Sequence, residues 1–248
     1  MAETAIAKIH FPDNIELAEA IAALAGIERI YSEIAICDST MDELAAIARV
    51  RDDSDWYSHT TRIAAAQLVK IAATDKFDAT YAIRRTDYAP RVITAHETGS
   101  WVVDLVGKLN PIESLKSVLE LMRDWSAERD RKRLLNSKLA QEVVSTQIAN
   151  DMANLDVLQK AAAMLKDGGV DESTVQLFVD QRVRQLIGGA VVATSASKST
   201  EVMTLPEYQG TLNVEDTERA VMEYLAEIEK LPSVWSNSNR LLPPPNDD

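Results

Sequence analysis

Asn110–Gly168, NPIESLKSVLELMRDWSAERDRKRLLNSKLAQEVVSTQIANDMANLDVLQKAAAMLKDG, decides the fold, because it reads as long amphipathic helix with a start signal, a charged interruption and a glycine stop. Asn110 stands as N-cap, Pro111 at the first helical position and Glu113 in the first turn. Ile112, Leu115, Val118, Leu119, Met122 and Trp125 form one apolar stripe. The following SAERDRKR carries no large apolar side chain, so two turns of this arm are solvated even if the helix continues. A buried face then returns at Leu135, Leu139, Val143, Ile148, Met152, Leu155 and Leu158, and runs to Leu165 before the breaker Asp167-Gly168-Gly169. Asp171 caps a further helix, through Val175, Phe178, Val179, Val183 and Ile187, to Gly188-Gly189, which is read as its C-cap. Helix, glycine turn and helix predict an αα-hairpin.

Working outward towards the N-terminus, AIAKIHF (5–11) reads as a strand closed by Pro12-Asp13-Asn14. A helix follows, with Leu17, Ile21, Leu24, Ile27, Ile30, Tyr31 and Ile34 at three- and four-residue spacing to about Ile36; Gly26 weakens it without forbidding it. Thr40-x-x-Glu43 is a capping-box pattern and predicts a separate shorter helix, ended by the acidic run Asp52 to Asp55. RIAAAQLVKIAA fits helix or strand. ATYAIRRT and APRVITAHET alternate as a hairpin centred on Asp87-Tyr88-Ala89-Pro90, and SWVVDLVG gives one more short apolar run. A split β-α-β arrangement accounts for this half.

Towards the C-terminus, AVVATSASKSTEVMTL reads as a strand or a flexible connection. A last helix spans about Val214 to Leu231, with Ala220, Val221, Tyr224, Leu225 and Ile228 on one face, and the Pro-rich NRLLPPPNDD has no means to form a core. The reading is therefore α+β, predominantly helical: an α+β domain over 1–109, a helical arm and αα-hairpin over 110–190, and a connector, helix and disordered tail over 191–248.

Composition bounds the function. The chain has 248 residues, 46% of them hydrophobic but only 5% aromatic, which favours helices packed through Ala, Leu, Ile and Val. Its net charge is -13, with 17 acidic against 11 basic residues up to 110, 12 against 11 over 111–190, and 10 against 4 thereafter. Acidic flanks repel phosphate backbones, so direct nucleic-acid binding is not expected. Cys37 is the single cysteine, which excludes an intrachain disulfide framework and points to a reducing cytoplasm. MAETAIAKIHF lacks the basic start and apolar run of a signal peptide, and no stretch approaches the roughly 18 apolar residues of a membrane span.

No motif names a reaction. His10, His59 and His96 stand in no metal-binding or triad spacing, and His59 reads as a surface loop residue. Asp52, Asp53 and Asp55 lack the glycine and distal glutamate of a calcium loop. Arg129, Arg131, Lys132 and Arg133 alternate with Glu128 and Asp130, as on a solvated helix face. No catalytic residue, cofactor or metal is assigned.

Three stretches taken together, IERIYSEIAI (27–36), RVITAHETGSWVVDLVG (91–107) and ESLKSVLELMRDW (113–125), give a chain that over residues 5–125 resembles small bacterial proteins carrying a TRADD-N-like or ferredoxin-like α+β domain. In those proteins a Gly-Ser pair after the strand leads into a helical segment. The resemblance implies a homotypic or adaptor-type interaction domain of bacterial conflict systems, and brings no catalytic residues.

The expectation is a non-enzymatic, cytoplasmic protein–protein interaction protein that forms a homo-oligomer or binds another protein. Trp101, Trp125, Leu135, Leu139 and Val143 are its first interface candidates. The alternatives are a structural component of a larger particle, or a small-ligand or anion-binding enzyme with a dispersed site such as Arg84, Arg85, Asp87 and His96.

Overall fold

The computed structural model describes residues 4–50, 55–74, 76–86, 88–97, 101–133 and 138–204, with side chains for all of these except 41–50, 55–62, 64, 93–97, 128–133 and 138–144. The described residues all lie within one compact unit, Met1–Tyr208. The boundaries expected at 109/110 and 190/191 both fall inside it. The expected C-terminal helix and Pro-rich tail lie outside the described residues.

Strand β1 (Thr4–His10) begins the unit and takes its centre. Its antiparallel neighbours are β3 (Trp101–Lys108) and β4 (Ser199–Thr204), and β2 (Arg91–Glu97) pairs with β3 to complete the order β2-β3-β1-β4. Two interleaved crossovers joined by a hairpin make this the split β-α-β arrangement. The sheet is thus finished by STEVMT, one of the segments read as strand or flexible connection. Ala5 pairs with both Gly107 and Thr204.

The first crossover holds α1 (Leu17–Val50), α2 (Asp55–Ala72) and the short α3 (Ala79–Ile83). The chain does not restart at Thr40. Its hydroxyl donates to the Ile36 carbonyl at 2.7 Å and that of Ser39 to the same oxygen at 3.1 Å, so both serve the helix interior and α1 runs on as a single helix. ATYAI is helix and not strand: the Asp78 carboxylate accepts from the Tyr81 amide at 3.2 Å, and Ala79 and Ile83, one turn apart, are both buried. The hairpin accordingly joins β2 to β3, after Pro90, with a bulge between Val92 and Thr94.

The second crossover holds α4 (Leu109–Arg133), α5 (Lys138–Ala153), α6 (Asp156–Asp167) and α7 (Glu172–Ala196). Helix α4 begins one residue before its expected cap, and Pro111 sits in the first turn, where amides lack intrahelical partners. Its stripe from Ile112 to Trp125 is buried throughout. The arm expected to run to Leu165 breaks at Asn154-Leu155, where Leu155 turns extended (ψ 134°) and Gln159 Nε2 donates to the Ala153 carbonyl at 2.9 Å. That break lets Met152, Leu158 and Leu165 all enter the core.

The stop after α6 is as expected. Gly169 adopts φ 83°, the Val170 amide donates to Leu165 O at 3.0 Å and the Gly169 amide to Lys166 O at 2.9 Å, which closes the helix end. Asp171 then caps α7: its carboxylate accepts from the Thr174 amide at 2.9 Å and from the Ser173 and Thr174 hydroxyls, and these bonds hold it below the usual carboxylate range.

Gly188-Gly189 does not end α7, which continues to Ala196. Helix α1 is the hub, packing most extensively on α7 and then on α6, α4 and α3. Ala5, Ala7, Ile9, Val103 and Leu105 belong to the same core as Ile27, Ile30, Ile34, Leu115, Leu119 and Phe178. Arg123 of α4 donates to Ser197 Oγ at 3.1 Å and Thr200 Oγ1 at 3.0 Å, fastening the start of β4.

Candidate functional site

Helices α1 and α7 cross where glycine removes the side chain from both. A Cβ on Gly26 would lie 2.7 Å from Gly189 O, and a Cβ on Gly189 would lie 2.9 Å from Gly26 O. Above this crossing, with α3 alongside, opens a groove of about 540 Å³. Ala22, Ala25, Gly26 and Gly188 line it with small side chains or bare main chain. Gly188 differs from its neighbour, since a Cβ there would meet nothing within 4 Å.

The walls combine apolar and charged groups. Val192 of α7 is 40% exposed and Tyr81 of α3 59% exposed, with the Arg85 guanidinium 5.0 Å from the tyrosine ring centre; Ile21 and Val191, 59% and 48% exposed, lie on the same two helices outside the groove lining. Arg84 donates to both oxygens of Glu28, at 2.7 and 2.9 Å, and this hydrogen-bonded carboxylate raises its pKa further. Arg29 and Asp78 line the same groove, both exposed, and neither forms an ion pair among the described residues. An exposed cation and an exposed carboxylate that caps α3 therefore share one small-residue surface.

The crossing rests on a buried pair. The Arg182 side chain is fully buried and that of Glu33 4% exposed; they form an ion pair, and Arg182 Nη2 also donates to Ala72 O at 2.5 Å. The rings of Phe77 and Phe178 stand 5.5 and 5.6 Å from its guanidinium carbon. One side chain of α7 thus ties α1 to the end of α2. Burial pushes the Glu33 carboxyl up to about 7, against the lowering pull of Arg182. Burial likewise pushes the Cys37 thiol up to about 12, which leaves it protonated and unreactive at neutral pH.

The residues nominated from sequence are scattered. Trp125 lies in the core at 6% exposure, and Trp101 opens β3 half-buried against that core. Leu139 and Val143 lie on α5 with side chains outside the described set, as Leu135 is altogether. Arg84 and Arg85 follow α3, but the first is engaged by Glu28 and the second stands over Tyr81; His96 is on β2 with its side chain outside the described set, and Asp87 lies outside the described residues. His10 Nε2 stands 3.7 Å from Glu201 Oε1. His59 lies on α2, and not in a loop, while Asp55 begins α2 and Asp52 and Asp53 lie outside the described residues. Arg129, Arg131, Lys132 and Arg133 end α4, their side chains outside the described set. Arg29, Asp78, Gly188, Glu33 and Arg182 were not nominated.

Among the described residues, no group of three or more His, Cys, Asp and Glu gathers as a metal ion requires, and no helix is long and apolar enough to cross a membrane. No family model matches the chain, and neither a curated protein nor a solved structure matches it.

Proposed function

We propose that this chain is a non-enzymatic protein–protein interaction protein, an adaptor or self-assembling unit of the cytoplasm, whose contact surface is the groove face of α1, α3 and α7. The observation that carries this reading is the exposed apolar lining of Val192 and Tyr81 around bare main chain at Gly188, with Ile21 and Val191 also exposed on the same two helices. Small-molecule sites of similar volume close around a ligand with a few convergent polar groups. This groove is open, and of its two arginines Arg84 is already engaged by Glu28 while Arg29 is exposed. Such a surface suits a protein element that buries apolar area and brings its backbone close. The bacterial conflict-system setting follows from the sequence resemblance and belongs to the same proposal, with the split β-α-β sheet order supporting its ferredoxin-like part.

Placing a photo-crosslinking residue at Ala22, inside the groove, and separately at Ser117, exposed on α4, tests the reading in the cells that produce the protein. Crosslinks from Ala22 into a defined protein species, absent from Ser117, are the expected result. Equal or absent crosslinking at the two positions would remove the groove as a contact surface.

A further inference from the structure

Helix α2 is held to the fold by little side-chain area. It packs chiefly on α7, and the face it buries carries Ala65, Val69 and Ala73, with Ala66 and Ala72 partly buried beside them. Its large side chains Ile63, Leu68 and Ile71 lie outside that face and stand exposed. Alanines remove little apolar surface from water, so this contact holds less firmly than the buried Ile112, Leu115 and Leu119 of α4. The bond that closes it comes from α7: Arg182 Nη2 donates to the Ala72 carbonyl in the last turn of α2, while the same guanidinium pairs with Glu33 of α1. Immediately beyond, Ala79 and Ile83 seat α3 in the core by their own burial.

We propose that α2 is a latched helix, which opens from α7 as a unit while the rest of the fold stays closed, and that the charge state of the Glu33–Arg182 pair sets how often it opens. Units with few buried apolar contacts open at free energies below that of global unfolding. Opening takes the Ala72 carbonyl away from the guanidinium and admits water to both members of the pair. Hydration favours a carboxylate over a carboxylic acid, so an ionised Glu33 promotes opening and a protonated one opposes it. The groups that face Glu33 are Arg182 of α7, Arg29 and the Cys37 thiol of α1, and Asp78 ahead of α3. Burial outweighs the pull of Arg182 and Arg29, and holds the closed-state carboxyl at about 7 against an ordinary 4.5. The latch is therefore tightest below about 4.5, loosens as pH rises, and is loosest above about 7.

The test is amide exchange of the full-length chain, followed by mass spectrometry at pH 5 and pH 8 in low concentrations of denaturant, with each rate divided by its intrinsic value. Peptides spanning residues 63–73 should exchange through an opening that denaturant barely promotes, while those spanning residues 112–125 wait for global unfolding. The opening constant of α2 should rise by more than about tenfold from pH 5 to pH 8. Glu33→Gln keeps the shape of the side chain and cannot ionise, so in that variant α2 should open equally at both pH values.

Equal opening free energies for the two segments at every denaturant concentration overturn the proposal, since α2 would then leave only when the whole fold does. A separate opening of α2 that is no greater at pH 8 than at pH 5, or that keeps its pH dependence in Glu33→Gln, overturns it as well.

Discussion

Gly26 and Gly189 touch through their main chains: a Cβ on either would stand 2.7 or 2.9 Å from the carbonyl oxygen of the other. Alanine at either position should therefore destabilise the protein, although alanine is the better helix former. The overpacking is expected to cost about 1–3 kcal/mol in denaturant unfolding. At Gly188, where nothing crowds a Cβ, alanine should instead stabilise by about 0.5–1 kcal/mol. If Gly26→Ala proved as benign as Gly188→Ala, the close crossing would be wrong.

Glu33 sets a pH dependence. Its carboxyl titrates near 7 in the folded protein against an ordinary value of 4.5, so the folded state holds the proton more tightly than the unfolded one. The contribution to stability is fully present below about 4.5 and is lost as pH rises to about 7, an effect of about 1–3 kcal/mol. Glu33→Gln cannot titrate there, so its stability relative to the unaltered protein should improve between pH 5 and pH 8. Thermal unfolding at both pH values checks this. A variant that loses ground above pH 7 would mean that the attraction of Arg182 outweighs burial.

Arg182 is expected to hold α2 in place. Arg182→Ala removes the ion pair to Glu33 and the hydrogen bond to Ala72 O, and leaves a cavity between Phe77 and Phe178. A loss of about 3–5 kcal/mol should result. Amide exchange should accelerate in the last turn of α2 more than in α4, which Arg182 does not tie down. Uniform acceleration across both helices would argue against a local anchor.

Trp125 should behave as core. Trp125→Ala is expected to lower stability by about 3–5 kcal/mol while leaving the mass of the folded protein unchanged. A change of mass without loss of stability would return Trp125 to the interface.

Particular residues show what the sequence made legible. The stripe from Ile112 to Trp125, the stop at Gly168-Gly169 and the cap at Asp171 could be read because local chemistry decides them: apolar spacing, a positive φ and a short carboxylate side chain. Gly188-Gly189 was misread because a glycine pair ending a helix and a glycine pair admitting another helix look alike until the partner is known. The apolar run Ala190, Val191, Val192 beyond it was the available signal that α7 continues. Asp78 was missed because a five-residue segment alternates well enough to pass for a strand, and its cap appears only when the helical reading is tried. Glu33 and Arg182 each interrupt an apolar stripe, between Ile30 and Cys37 and between Phe178 and Leu186. Two opposite charges placed in this way on two buried helix faces are a pairing signal, although spacing alone does not say that the faces meet. Strand β4 was ambiguous because its role depends on a vacant edge of β1, far away in the sequence.

That last relationship governs the order in which the chain can be finished. Ala5 leaves the ribosome well before Thr204 beside it, which emerges only after both helical crossovers have been made. Until then, one side of β1 presents free main-chain donors and acceptors, the kind of edge that recruits a stray strand from a neighbouring nascent chain. The helices before β4 therefore have to shelter β1 as well as connect it, and a chain cut at residue 190 would keep that edge open for good.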